Sequence, residues 1–195
     1  MKLGRIEKWF MKRSGHIERT INRADKLLGL IEISPEHEFL EVGCGSGGVS
    51  RYIAERYLLN VTGTDLDPEL VQLARENIDD TSNIQFLEAD STNLPFEDNH
   101  FDIVLSFGVM HHIPNWLDAL REIKRILRPK GYLVYFDIVY PGFTAWVGRF
   151  FKHKYGITTL QDLNSFIEKS NFSTIQSSLS KSLFLHQYEA VYRKD

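Results

Sequence analysis

Two patterns of apolar and polar residues alternate along most of the chain. Short, largely apolar runs at 39–42, 60–65, 84–87, 101–106 and 132–136 predict strands, and the continuous run at 101–106 is typical of a strand buried on both faces. Between these runs, apolar residues recur at three- and four-residue steps, which predicts amphipathic helices. Strands that alternate with helices indicate an α/β fold with a mostly parallel sheet, right-handed crossovers and helices on both faces.

The first 33 residues predict a helical segment of unusual charge. Apolar residues such as Ile17, Ile21 and Leu28 share one helical face, and lysines and arginines outnumber acids on the remainder. One interpretation is a solvated helix face. The other is a lid that faces an anion, such as a phosphorylated substrate, an anionic membrane surface or RNA.

The C-terminal third departs from the strand–helix alternation. Aromatic residues crowd the region from Tyr140 to Tyr155 without predicting an element, and a hydrophobic acceptor pocket, a lid, a dimer contact or plain core packing would each account for them. Leu160–Ser170 predicts a helix. Phe172–Leu179 and Leu183–Tyr192 predict the two strands of a closing antiparallel hairpin, separated by residues 180–182.

Composition and charge narrow the class of protein. The 195 residues are 43% hydrophobic and 25% charged, which fits one globular domain with a real core. A net charge of −3 provides no global attraction to nucleic acid. The single cysteine, Cys44, cannot form an internal disulfide and is expected to be a small spacer in a cytoplasmic protein. The chain has no apolar run of the ~20 residues that a membrane span needs, and its N-terminus lacks the apolar stretch of a signal peptide.

Short sequence signals mark the ends of two helices. Asp67 followed by Pro68 predicts an N-cap and a first helical position. A helix from Trp116 to Leu127 is expected to stop at the run Arg128–Gly131, and residues 93–100 predict a loop.

The clearest candidate for chemistry is the glycine-rich turn that follows the first predicted strand. Gly43, Gly45 and Gly48 match the spacing of a dinucleotide-binding turn, and Asp65 follows at the distance of an acid that binds ribose hydroxyls. Glu41 separates two ligand classes, because a carboxylate there would repel a pyrophosphate but would suit a ligand with an ammonium and a sulfonium. S-adenosylmethionine (SAM) is such a ligand.

Three acids follow three successive predicted strands. Glu41, Asp65 and Asp90 come at the ends of the first, second and third strands. Because ligands of open α/β sheets bind at the carboxyl ends of the strands, these acids are expected to meet at one site. Asp65 can accept hydrogen bonds from a ribose diol, and Asp90 can accept one from an adenine amino group. A capping or turn role would also account for Asp65, and a loop role for Asp90.

These stretches, in this order, resemble the class I SAM-dependent methyltransferases. The resemblance covers most of residues 37–140, and it is nearest to the methyltransferase type 11 branch, which includes ubiquinone/menaquinone-biosynthesis and arsenite methyltransferase-like enzymes. It implies a Rossmann-like fold that ends in an antiparallel hairpin, with SAM as cofactor. The matching stretches are Glu41–Gly47, Thr64–Pro68, Glu88–Asp90, Phe101–Val104, Met110–Ile113 and Leu127–Tyr132.

The resemblance also assigns roles to individual residues. Glu41 is expected near the methionine amino group, and Asp65 is expected to hold the ribose. The further residues that the resemblance places at the cofactor are Gly43, Gly45 and Gly47 of the turn, Leu66, Ala89 and Asp90 around the nucleoside, and Ser106 and Phe107 beneath the methionine moiety.

The candidate catalytic residues are His111 and His112, which follow the fourth predicted strand. Either imidazole could remove a proton from a methyl acceptor, and a purely structural role for the pair is the alternative. No cluster with the spacing of metal ligands accompanies them, so no metal is expected. The Asn/Asp-Pro-Pro-aromatic motif of amino-group methyltransferases is absent after this strand, where Ser106–Val109 stands instead.

The sequence therefore predicts one methyltransferase domain that acts on a small or lipid-like acceptor. Within it, residues 1–33 form a helical lid, 37–140 the SAM-binding core, and 141–195 the substrate side with the hairpin. Three alternatives remain at this point: an RNA methyltransferase, an NAD(P)-dependent oxidoreductase, and a non-catalytic module that binds a nucleotide. The sequence gives no oligomeric state.

Overall fold

The computed structural model describes residues 14–78, 83–142, 145, 156–181 and 185–195. The predicted helical segment before residue 14 and most of the aromatic region from Tyr140 to Tyr155 lie outside these residues. The strands are β1 (Glu38–Val42), β2 (Asn60–Asp65), β3 (Ile84–Glu88), β4 (Phe101–Phe107), β5 (Leu127–Val139), β6 (Phe172–Lys181) and β7 (His186–Lys194).

Five α-helices connect or flank these strands in the described part of the chain. They are α1 (Ser14–Leu28), α2 (Gly48–Tyr57), α3 (Pro68–Arg75), α4 (Trp116–Ile126) and α5 (Leu160–Lys169), and a 3-10 turn spans Met110–His112. The predicted start of α3 is confirmed, because the Asp67 side chain accepts a hydrogen bond from the Glu69 backbone N–H with Pro68 at the first position. None of these helices combines the length and the apolar character that a bilayer crossing requires.

The strands form one seven-stranded sheet in the order β3-β2-β1-β4-β5-β7-β6. The first five in sequence run parallel, whereas β7 is antiparallel to both β5 and β6. The expected parallel sheet with a closing antiparallel hairpin is thus confirmed. The order reverses between β1 and β4, and this switch point is where open α/β sheets bind ligands.

Both faces of the central strands are buried. Phe39 on β1 packs with α1 and α2, whereas its neighbour Leu40 packs with α4 and α5 on the opposite face. Adjacent β residues point to opposite faces, so a continuous apolar run is what a doubly covered strand requires. On α1, the predicted apolar face is confirmed by Ala24 and Leu28, which are fully buried.

Two predicted boundaries are wrong. No loop separates α4 from β5, because Leu127 already pairs with Phe101, and the pairing register then shifts before Ile103 meets Tyr132. The run 128–131 ends the helix as expected but continues as an irregular strand, in which Lys130 has a φ of 67°. In the hairpin, residues 180 and 181 belong to β6, and β7 begins only at His186.

Candidate active site

A cavity of about 770 Å³ opens at the carboxyl ends of the parallel strands. This volume lies within the range of about 300–1,000 Å³ that is usual for small-molecule sites. Loops after β1, β2, β3 and β4 form one side, and α1 and the strands β5 and β7 form the other. Predicted site residues in its wall are Gly43, Asp65, Leu66, Ala89, Asp90, Phe107, His111 and His112.

The glycine-rich turn is built so that side chains are excluded at two positions. Gly43 has a φ of 74°, and a Cβ there would lie 2.4 Å from Cγ2 of Val109. Gly47 has a φ of 76°, and its Cβ would lie 2.4 Å from the ring of Phe86. Gly43 therefore exposes its backbone, without a side chain, to the cavity. Gly45 and Gly47 belong to the same turn but do not line the cavity.

Glu41 lies behind this turn rather than in the cavity wall. Its side chain is buried and accepts a hydrogen bond from the hydroxyl of Ser50 on α2. Burial raises the pKa of this carboxyl to about 8, an effect that the hydrogen bonds from Ser50 partly oppose. Contact between Glu41 and a ligand's amino group therefore stays a prediction.

Asp65 stands at the end of β2 with both carboxylate oxygens engaged. One oxygen accepts the backbone N–H of Gly45 at 2.9 Å, and the other accepts that of Asp67 at 2.9 Å. Burial raises the pKa of Asp65, and these backbone hydrogen bonds lower it. The carboxylate is thereby fixed beside the turn, with Leu66 next to it in the cavity wall.

The end of β3 supplies the next part of the wall. The backbone N–H of Ala89 donates to the carbonyl of Asp65 at 3.0 Å, which ties this segment to the end of β2. The carboxylate of Asp90 accepts from the backbone N–H and the hydroxyl of Thr92 at 2.8 and 2.7 Å. Ala89 and Asp90 thus line the same cavity as Asp65. Of the three acids predicted to meet at one site, Asp65 and Asp90 do so, whereas Glu41 lies outside the cavity wall.

At the end of β4 the two predicted residues separate. Phe107 lines the cavity, but Ser106 is fully buried and does not. The Ser106 hydroxyl has no hydrogen-bond partner in the described part of the chain. Phe107 and Gly108 therefore line the cavity, whereas Ser106 is buried outside its wall.

The two histidines of the 3-10 turn both reach the cavity, and His111 is paired with an acid. Nδ1 of His111 lies 2.6 Å from a carboxylate oxygen of Asp137 on β5. Asp137 is fully buried, and it also accepts the backbone N–H groups of Met110 and Ile138 at 2.7 and 2.6 Å. The His112 ring packs beside that of His111, with 4.0 Å between centroids.

Sequence reasoning missed Asp137 as part of the site. The available signal was an acid inside an otherwise apolar run, Tyr132–Val139. A buried carboxylate needs partners, and here three donors within hydrogen-bonding distance supply them. In the described ranges, no group of three or more His, Cys, Asp or Glu side chains is placed to hold a metal ion.

The basic face of α1 contributes Arg19 and Arg23 to the cavity wall. The guanidinium of Arg23 lies over the Phe136 ring, 3.6 Å from its centroid, and Nε lies 3.2 Å from the carboxylate of Glu189 on β7. Lys26 binds the other oxygen of Glu189 at 2.8 Å. The sequence indicated that this helix is basic but not that two of its arginines meet the site.

A family model described as a methyltransferase domain matches residues 40–135. This segment contains the glycine-rich turn, Asp65, Asp90 and both histidines, and its sheet has the strand order described above. This segment, about half of the chain, therefore matches the methyltransferase domain family.

Curated relatives of this chain are methyltransferases by name. A phthiotriol/phenolphthiotriol dimycocerosates methyltransferase 1 of Mycobacterium ulcerans is 36% identical over 60% of this chain and 43% of its own length. A fatty-acid O-methyltransferase of Mycolicibacterium smegmatis is 37% identical over 50% of this chain and 36% of its own. The chain thus aligns with less than half the length of these relatives.

The likeness to solved structures covers most of this chain. The phospholethanolamine N-methyltransferase 2 of Haemonchus contortus, in complex with phosphomonomethylethanolamine and S-adenosylhomocysteine, superposes with a TM-score of 0.76. The superposition covers 89% of this chain and 52% of that one at 17% identity. At this identity the likeness establishes the fold alone.

Proposed function

We propose that this chain transfers the methyl group of SAM to a small or lipid-like acceptor. The observation that carries the proposal is the meeting of Gly43, Asp65 and Asp90 in the wall of one cavity at the switch point of the sheet. The names of the curated relatives support a lipid-like acceptor.

The residues present fit SAM on their chemistry. Gly43 brings its backbone into the cavity wall, at a position where the Cβ of any other residue would collide with Val109. The carboxylates of Asp65 and Asp90 are acceptors for the ribose hydroxyls and the adenine amino group, both of which carry donors. SAM, when bound, supplies an electrophilic methyl group on a sulfonium, so the protein has to align the acceptor and exclude water.

Another part of the cavity wall is suited to the acceptor. Phe107, Phe136 and Ile138 give it an apolar surface, and α1 adds the guanidinium groups of Arg19 and Arg23, of which that of Arg23 is paired with Glu189. An apolar wall with a few polar groups is typical of sites for small organic ligands. We infer an acceptor that is mainly apolar and carries one polar group near the reacting atom.

Calorimetric titration of the purified chain tests the cofactor assignment. We expect binding of SAM and of S-adenosylhomocysteine, and no heat of binding with NADH. Binding of NADH in place of the adenosyl ligands would support the oxidoreductase alternative. If none of the three ligands gives a heat of binding, the non-catalytic alternative remains.

An RNA acceptor is tested in the same preparation. An RNA methyltransferase should bind RNA with an affinity that falls steeply as salt rises and that depends on Arg19 and Arg23. We expect no such binding, since the Arg23 guanidinium is already held between Phe136 and Glu189 at the cavity. Salt-dependent binding that is lost on replacing these arginines would overturn the proposed acceptor class.

A further inference from the structure

We propose that the methyl acceptor is an anionic amphiphile, whose carboxylate or phosphate group is bound by Arg19 of α1 and whose apolar part lies against β5. This inference rests on the proposed methyltransferase function and specifies the substrate class for the same cavity. Arg19 would contact the substrate and select its charge, and no bond forms or breaks at this position.

The charged residues of the cavity wall fall into two groups. Asp65 and Asp90 follow β2 and β3, whereas Arg19 and Arg23 belong to α1, and Arg23 lies over Phe136 of β5. Three strand spacings of about 4.8 Å separate β2 from β5, which places the two groups about 14 Å apart across the sheet. An anion beside α1 is therefore held away from the two carboxylates that we assign to the cofactor.

Arg23 is a fixed cation that already has an acid partner. Its guanidinium lies 3.6 Å from the centroid of the Phe136 ring, and Nε lies 3.2 Å from the carboxylate of Glu189. Lys26 contacts the other oxygen of Glu189 at 2.8 Å, so two cations share one carboxylate and the group keeps a positive charge. This charge attracts an anion to the α1 side of the cavity, but Arg23 itself is held by its present partners.

Arg19 is the cation of α1 that is available to a ligand. It lies four residues before Arg23, so the two side chains share one helical face and are about 6 Å apart along the helix axis. Nε of Arg19 donates to the carbonyl of Gly15 at 2.9 Å, and in the described part of the chain no carboxylate forms an ion pair with this guanidinium. Its terminal nitrogens, which carry most of its N–H donors, can bind a carboxylate or a phosphate in a bidentate manner.

The strands beside α1 provide a surface for the apolar part of the acceptor. Phe136 and Ile138 of β5 pair with Glu189 and Gln187 of β7, and residues two apart on a strand point to the same face. Arg23 covers the first pair, whereas both residues of the second pair line the cavity. A ligand on this surface meets apolar side chains and the basic face of α1 together, which favours an apolar molecule with an anionic group.

The first test is calorimetric titration of the full chain, saturated with S-adenosylhomocysteine, with decanoate, decyl phosphate and decanol below their aggregation concentrations. We expect both anionic probes to bind at least about tenfold more tightly than decanol, because hydrogen bonds to a charged group add to the shared apolar contact. The ratio of the decanoate and decyl phosphate Kd values shows which oxyanion is preferred. Added NaCl should weaken the anionic probes and not decanol.

The second test repeats these titrations with four variants. Arg19→Gln should raise the Kd of the anionic probes about tenfold and leave that of decanol within about twofold, whereas Arg19→Lys, which keeps the charge, should retain most of the binding. Ile138→Ala should weaken all three probes, because it removes apolar lining from the cavity. The matched control is Arg121→Gln, an exposed arginine on α4 outside the cavity wall, which should change none of the Kd values.

Each outcome bears on a different claim. If the wild-type chain binds neither SAM nor S-adenosylhomocysteine, the proposed function fails, and titration of the chain alone still reports on the anion site. If S-adenosylhomocysteine binds, the anion inference is overturned by decanol binding as tightly as decanoate, by no probe binding, or by an Arg19→Gln variant that binds the anionic probes as wild type does. Binding of a short RNA in place of the three probes would overturn it in favour of a nucleic-acid acceptor. Arg19 is exposed, so Arg19→Gln should fold, and thermal melting checks every variant.

Discussion

Glu41 is a buried acid whose ionisation should destabilise the protein. Its carboxyl has a pKa of about 8 in the folded chain, compared with 4.5 in the unfolded chain, because burial disfavours the charged form. Below pH 4.5 both states hold the proton and no penalty arises. Between pH 4.5 and 8 the unfolded chain loses its proton and the folded chain keeps it, so stability falls as pH rises and the loss is complete above about pH 8.

The magnitude follows from the two pKa values. At 1.36 kcal/mol per pKa unit, the interval from 4.5 to about 8 corresponds to at most about 5 kcal/mol. A domain of this size has a free energy of unfolding of about 5–15 kcal/mol, so the effect is a substantial fraction of the total. Glu41→Gln removes the titration and can keep a hydrogen bond to Ser50, so the variant should be more stable than wild type at pH 8–9.

Urea denaturation from pH 4 to pH 9 measures this difference. We expect the two proteins to be nearly equal at pH 4 and Glu41→Gln to gain steadily above pH 4.5. Glu38→Gln, which removes a charge at the start of the same strand, is the control. Parallel pH profiles for wild type and Glu41→Gln would refute the reasoning, because they would show that Glu41 has the same pKa in both states.

Three further predictions follow from contacts at or near the site. Asp65→Ala should weaken SAM binding by about 1–3 kcal/mol in calorimetry; unchanged affinity would remove Asp65 from the site. Gly43→Val should abolish SAM binding and lower the melting temperature, because even its Cβ would collide with Val109; normal binding would show that the turn does not cradle the cofactor. Arg125→Met should lower the free energy of unfolding by about 1–2 kcal/mol, since the guanidinium holds the carbonyls of Leu94 and Phe96. Urea denaturation checks it, and an unchanged midpoint would contradict it.

Local signals in the sequence were sufficient for the sheet and for one side of the cavity. The glycine turn, Asp65 and Asp90 each follow a strand directly, so the rule that parallel strands end at one edge brought them together without any knowledge of distant contacts. The two wrong boundaries have the same origin. Residues 128–131 contain the proline and glycine that are typical of a turn, but pairing of Leu127 with Phe101 extends the strand through them. Pairing with β7 likewise extends β6 to Lys181. Tertiary contacts overrode local preference in both places.

The other side of the cavity depends on pairs that are distant in sequence. Arg23 reaches Glu189 across 166 positions, and His111 reaches Asp137 across 26. Neither pair has a spacing that a linear motif could encode, because each is created by the order of strands in the sheet. The sequence still contains one indication of the second pair. Asp137 interrupts an apolar strand, and a buried acid requires a hydrogen-bond donor.

Glu41 and Asp137 are two buried acids whose hydrogen-bond partners differ. Both carboxyls are buried at or near the carboxyl ends of central strands. Glu41 accepts from a hydroxyl, which can also donate, so a protonated carboxyl is tolerated there and burial prevails. Asp137 accepts from the backbone N–H groups of Met110 and Ile138, and one of its oxygens also contacts Nδ1 of His111. Two acids of similar depth thus have different partners in this fold, and those partners come from the elements that the strand order places beside each acid.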